Sequence, residues 1–102
     1  MKVIFKVESN VEIKGVYEVK PTSKNISQGY IILSKKDTEK LAVVGLFKGK
    51  LKEKEGTYLV EQVLNGLEIF NSGSSGKILL KKKYIGYKAI IGVYDEKKVD
   101  IL

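Results

Sequence analysis

The stretch "SQGYIILSKKDTEKLAVVGLFKGK" (residues 27–50) superposes on "SSGKILLKKKYIGYKAIIGVYDEK" (residues 74–97) at a shift of 47 residues. The identical pairs include Ser27/Ser74, Gly29/Gly76, Ile31/Ile78, Leu33/Leu80, Lys35/Lys82, Lys36/Lys83, Ala42/Ala89 and Gly45/Gly92. One unit used twice is the simplest source of such a match. Each unit opens on an extended run, "VEIKGVYEV" (residues 11–19) or "TYLVEQVLNGLEIF" (residues 57–70), whose β-branched and aromatic residues suit strands. A glycine-containing turn, a short apolar strand ("YIIL" or "KILL") and a polar segment follow.

In the first unit Ser34 followed by Asp37 has the spacing of a capping box, so "KKDTEKL" reads as a short helix. In the second, "KKKYIG" reads as a single turn ending at Gly86. Each unit then closes on an expected hairpin, "AVVGLF" with "KLKEK" and "KAIIGVY" with "KVDIL". Gly45 and Gly92 break good strand chemistry at matching places, which marks a bulge or a close approach of backbone. The alternating prefix "MKVIFKV" is expected to add an edge strand. A unit of this size cannot bury both faces of its sheet alone. The expectation is therefore a mainly β single domain over residues 1–102 with one or two short helices. Its two repeats, about residues 8–55 and 56–102, would complete one another as a pseudo-twofold β-barrel.

The chain has 102 residues and 43% apolar content, with no cysteine, histidine or tryptophan. Thiolate and imidazole ligands, disulfides and the usual general base at neutral pH are thereby removed. The remaining carboxylates, such as Glu53/Glu55 and Asp95/Glu96, sit among lysines in apparent turns rather than in apolar pockets that shift a pKa. No enzyme, metal or cofactor is expected. No long apolar run or signal-like leader occurs, so a soluble cytoplasmic protein without a membrane partner is expected.

Net charge is +7, from 19 basic residues against 12 acids, and every basic residue is lysine. Lysine serves phosphate as a point charge, whereas base reading leans on arginine's bidentate grip of guanine. Such a surface fits backbone attraction; lysine enrichment from a heat-adapted or AT-rich source is the competing explanation. The excess is larger in residues 1–55 than in 56–102, so one half is expected to meet a partner more than the other. "NSGSSGKILLKKK" (residues 71–83) resembles a phosphate loop only superficially, because Asn71 and Ile78 stand where the mononucleotide loop needs glycine and a hydroxyl.

Residues 74–102, with N-S-G before them, resemble the swapped-hairpin domains of the AbrB/MazE/SpoVT superfamily, and most of all the short archaeal transposon-encoded proteins with N-S-G-[RK]-x-x-L-P-K, a basic stretch, an I-G step and a hairpin. The resemblance implies interleaved strands from two units, here fused in one chain, and a DNA-binding regulator, chromatin-like protein or antitoxin. Lys81 and Ser34 replace the family's proline, and its arginines are missing, which argues against operator reading and leaves general duplex binding. The candidate nucleic-acid contacts are Lys24, Lys35, Lys36, Lys77, Lys81, Lys82 and Lys83, with Gly76 expected to supply a turn. Lys35/Lys36 and Lys82/Lys83 are expected to form two matched cationic sites near helix starts. Lysines that merely solvate a turn are the alternative. Stacking of bases on Tyr30, Tyr58, Tyr84, Tyr87 and Tyr94 is the weaker reading, because Tyr30 aligns with Lys77 and a repeated aromatic platform is not supported. The expected partner is double-stranded DNA, with the chain a monomeric pseudo-dimer or a homodimer; the rival expectation is a protein-interaction module, antitoxin-like or an accessory subunit, that no longer binds DNA.

Overall fold

The computed structural model describes residues 2–22 and 28–95. Three open antiparallel sheets make up the fold. The central sheet has the order β2 (Glu12–Glu18), β11 (Lys88–Tyr94), β5 (Leu41–Phe47), β8 (Gln62–Glu68). On one face lies the sheet β3 (Lys20–Pro21), β4 (Gln28–Ser34), β10 (Ser75–Lys81), β9 (Phe70–Ser72). On the other lies β1 (Val3–Lys6), β7 (Thr57–Val60), β6 (Lys52–Lys54). The chain is mainly β as expected, but among the described residues the sheets are open and layered, and the expected closed barrel is not seen.

The central strands "LAVVGLF" and "KAIIGVY" are apolar almost throughout because both of their faces are covered. Ala42, Val44, Leu46, Ala89, Ile91 and Val93 point into a core shared with Ile31, Leu33, Ile78 and Leu80. Val43, Phe47 and Ile90 point the other way, onto Phe5 and Val60. Each fully buried side chain of this size contributes roughly 1.5–3 kcal/mol. Gly45 and Gly92 share this second face. A Cβ at Gly45 would stand 2.6 Å from the Phe5 ring, and one at Gly92 would stand 2.4 Å from Val11 Cγ1. Close approach is thus the reason for glycine. The register shifts near them are accommodated by Gly15 and Gly66, whose φ values are +135° and +73°.

Register reveals how the repeats combine. β4 pairs with β10 so that Ile31 faces Ile78, and β5 pairs with β11 so that Val44 faces Ile91. Both are pairs of equivalent positions, so each strand pair has a local twofold relation whose axis passes between its two facing residues. β2–β11 is matched by β8–β5 in the same way, with Lys88 opposite Glu18 and Leu41 opposite Glu68. There the equivalence lies three residues beyond 47, because five residues (23–27) separate Thr22 from β4 in the sequence where only Gly73 and Ser74 separate its counterpart Ser72 from β10.

Three expectations are corrected. "KKDTEKL" is one 3₁₀ turn (Lys35–Asp37), with Lys36 N–H donating to Ser34 Oγ at 3.3 Å; its counterpart is a 3₁₀ turn at Lys82–Tyr84. The hairpin expected after β5 does not form, since β6 pairs with β7 alone. "TYLVEQVLNGLEIF" is broken at Glu61 into β7 and β8, which belong to different sheets. The hairpin partner expected in "KVDIL" lies outside the described residues. The prefix does form an edge strand, β1, paired with β7. No helix among the described residues is long and apolar enough to cross a membrane.

Candidate nucleic-acid interface

The candidate lysines separate into three groups. β4 and β10 are antiparallel, so the turns that follow them lie at opposite ends of the pair, roughly 20–24 Å apart for seven-residue strands. Lys35 and Lys36 are exposed at one end, and Lys81, Lys82 and Lys83 at the other. Lys77 lies mid-strand on the outer face of β10. Lys24 lies outside the described residues. Gly76 does not supply the turn: it is buried within β10, where a Cβ would stand 2.9 Å from Ile69 Cγ2 and from the Ser34 carbonyl. Gly73, at φ +63°, opens the tight turn between Ser72 and Ser75. Both 3₁₀ segments are three residues long, too short to offer the helix-start anion sites expected of them.

The two ends differ in charge although the backbone matches. The strand ends and turn that meet at the Lys82 end carry Lys20, Lys48, Lys81, Lys82, Lys83 and Lys88, against Glu18 and Glu61. The equivalents of Lys20, Lys48, Lys81 and Lys88 at the Lys35 end are Phe70, Asp95, Ser34 and Leu41. That end also holds Glu12, Asp37, Glu39 and Glu68, which offset Lys14, Lys35, Lys36 and Lys40. The expected pair of matched cationic sites is therefore one cationic end and one neutralised end. Nor does the larger charge of residues 1–55 favour their turn, because Lys20 and Lys48 cross to the Lys82 end.

The packing beneath the turns explains the contrast. Asp37, 1% exposed, forms ion pairs at Oδ1 with Lys14 Nζ at 3.4 Å and Lys40 Nζ at 3.6 Å, while neither carboxylate oxygen has a hydrogen-bond partner of good geometry among the described residues. Lys14 also reaches Glu12 at 3.2 Å. Burial opposes the charge of Lys14, but Glu12 and Asp37 outweigh it and raise its pKa above the ordinary value. At the other end the equivalents of Asp37, Lys14 and Lys40 are Tyr84, Leu64 and Tyr87. Tyr84 and Tyr87 meet edge to face at 6.0 Å between ring centroids. Lys48 Nζ sits 4.4 Å from the Tyr87 ring centre and Lys83 Nζ 5.2 Å from that of Tyr84. An ion cluster holds its lysines inward; an aromatic ledge carries them outward.

Of the tyrosines considered for stacking, Tyr84 is buried, Tyr87 packs on it, Tyr58 packs on Phe5, and the Tyr94 hydroxyl donates to Asn65 Oδ1 at 2.7 Å. Tyr30 alone of these stands on the outer face of β4. Lys20, flanking Pro21 with Lys24, was already legible as an extension of a basic site, but residue-by-residue comparison of the repeats missed the apolar neighbours there, Ile32 and Phe70. Simple alternation in "GYIILS" and "GKILLK" carried the signal, since the buried positions are 29, 31, 33, 76, 78 and 80.

Among the described residues no cluster of acidic side chains could hold a metal ion. No protein family, curated protein or solved structure matches the chain.

Proposed function

We propose that the protein is a small, non-catalytic DNA-binding protein, an AbrB-like regulator or architectural protein, that grips the phosphate backbone through lysines. The observation that carries this reading is that the strand ends and turn meeting at the Lys82 end carry six lysines against two acids, whereas the equivalent end of the same framework carries as many acids as lysines. Two of those lysines rest on tyrosine rings, which presents their ammonium groups without a carboxylate partner on the ring. The repeat and its likeness to swapped-hairpin proteins support the same reading, with one cytoplasmic chain doing the work of a dimer. Absence of arginine fits phosphate contact better than operator recognition. A fluorescence-anisotropy titration on random duplex tests it. If about six lysines meet phosphates, log affinity falls against log salt with a slope near about −5. Absence of binding at low salt, or binding indifferent to salt, defeats the proposal.

A protein-interaction module is the second reading, favoured by an apolar-rimmed groove of about 720 Å³ between β1 and β8, beside Val3 and Ile4. Ile4 is 69% exposed on this edge strand. Stoichiometric co-purification of a protein partner that an Ile4→Glu variant loses, with Lys82→Glu/Lys83→Glu unaffected, favours it over DNA binding.

A further inference from the structure

Two rows of side chains cross the outer face of the β3–β4–β10–β9 sheet. In one, Phe70, Lys77 and Ile32 are cross-strand neighbours; in the other, Leu79, Tyr30 and Lys20 are. The repeat symmetry exchanges these rows, placing Phe70 on Lys20, Lys77 on Tyr30 and Ile32 on Leu79. Each aromatic ring therefore has a lysine as its equivalent, and the face as a whole interleaves rings and ammonium groups. Phe70 is 48% exposed and Ile32 43%, an unusual arrangement for a solvent-facing side of a strand pair. Lys77 Nζ lies 5.1 Å from the Tyr30 ring centre.

We infer that this face takes the unpaired bases of a single nucleic-acid strand, with rings stacking on Tyr30 and Phe70 and phosphates following Lys20, Lys77 and Lys81. The inference rests on the DNA-binding reading and narrows it to the class of strand. Three observations select this occupant. The four strands carry Lys20, Lys77 and Lys81 and no Asp or Glu, so the occupant is anionic. An exposed Phe70 ring and a half-buried Tyr30 ring between those lysines call for flat apolar partners, which a single strand offers and a stacked duplex hides. Beside Tyr30 a hollow of about 390 Å³ is lined by Tyr17, Glu18, Lys20, Tyr30 and Ile32. It has room for one base, and the Glu18 carboxylate at its rim can accept from an exocyclic amino group. The face is also continuous with the cationic end, since Lys81 closes β10 and leads into Lys82.

The test compares a fluorescein-labelled mixed-sequence 20-mer with its duplex, by anisotropy at low salt, for the wild type, Tyr30→Ala, Phe70→Ala and Lys82→Glu/Lys83→Glu. The single strand should bind more tightly. Each alanine variant should weaken single-strand binding roughly 5- to 100-fold, the range for loss of one stacked base, and leave duplex binding within about twofold. The lysine variant should weaken both. Duplex bound at least as tightly as single strand, with both alanine variants indistinguishable from wild type, overturns the inference and leaves the phosphate-binding reading intact. Absence of binding to either form for the wild type removes both. Thermal melts by circular dichroism should match the wild type, since both rings lie on the outer face; a Tyr30→Phe variant that keeps single-strand affinity separates stacking from lost structure.

Discussion

Ile31 and Ile78, equivalent residues of the two repeats, face each other directly across the β4–β10 pair, each no more than 1% exposed. The sheet is thus built on a contact between one position and its own copy. Ile31→Ala and Ile78→Ala should each cost about 3 kcal/mol in urea unfolding, with values within about 1 kcal/mol of each other because their surroundings match. A large cost at one site and a negligible one at the other would mean that the repeats do not share this core.

Gly45 is hemmed in by Phe5, Ile90 and Val60, all within 3.0 Å of a built Cβ. Gly45→Ala should lower stability by about 2 kcal/mol through overpacking. Adding Phe5→Leu should recover part of that loss, since the ring is the nearest obstacle. Strict additivity in this double-mutant cycle would show that the third sheet does not press on Gly45.

Asp37 and Lys14 occupy the places that Tyr84 and Leu64 hold at the other end. Lys14→Met should destabilise by about 2 kcal/mol, because a buried carboxylate keeps only Lys40. The pair Asp37→Leu with Lys14→Leu should come within about 1 kcal/mol of wild type or exceed it. Chemical denaturation of the wild type and these two variants decides the matter; a double variant worse than Lys14→Met alone contradicts it.

Lys14 also sets an alkaline dependence. Its pKa is raised in the folded chain, so its contribution is fully present below the unfolded value of 10.5 and is lost as pH climbs through the folded value. The stability gap between wild type and Lys14→Met should therefore be constant at neutral pH and narrow above about pH 10.5. Melting temperatures of both proteins across this range give the answer, and a gap that widens would reverse the assigned sign.

The two lysine pairs should not be interchangeable. Lys82→Glu/Lys83→Glu should weaken duplex binding by at least about tenfold at low salt and make the salt slope shallower. Lys35→Glu/Lys36→Glu should change it about threefold or less, because acids already neutralise that end. Equal losses from the two variants would restore the picture of matched sites.

Residue pattern alone carried much of the architecture. β-Branched and aromatic runs marked β2, β4, β5, β10 and β11, the 47-residue match paired the units, and Gly45 and Gly92 announced a close approach. The third sheet was not legible, because nothing in "TYLVEQVLNGLEIF" says that Glu61 turns the chain from one layer to another. The hairpin expected after β5 failed for a related reason. Strand partners are chosen by long-range burial, and β5 found two better ones in β11 and β8.

At the candidate interface, the lysines at 35, 36, 82 and 83 were visible as doublets and an unequal share of charge was expected, but which doublet gains by it was not legible. Charge along a chain is one-dimensional. Whether Lys20 and Lys48 reinforce Lys82, and whether Asp37 is buried under Lys35, depends on which strand ends meet. Local propensity and self-similarity determined that this chain makes strands and makes them twice, since both follow from neighbours in sequence. Only the tertiary structure decided the rest: open layers in place of a closed barrel, one cationic end in place of two, and rings exposed beside lysines. Those outcomes depend on burial and electrostatics between residues far apart in the chain, which act through distances that folding alone creates.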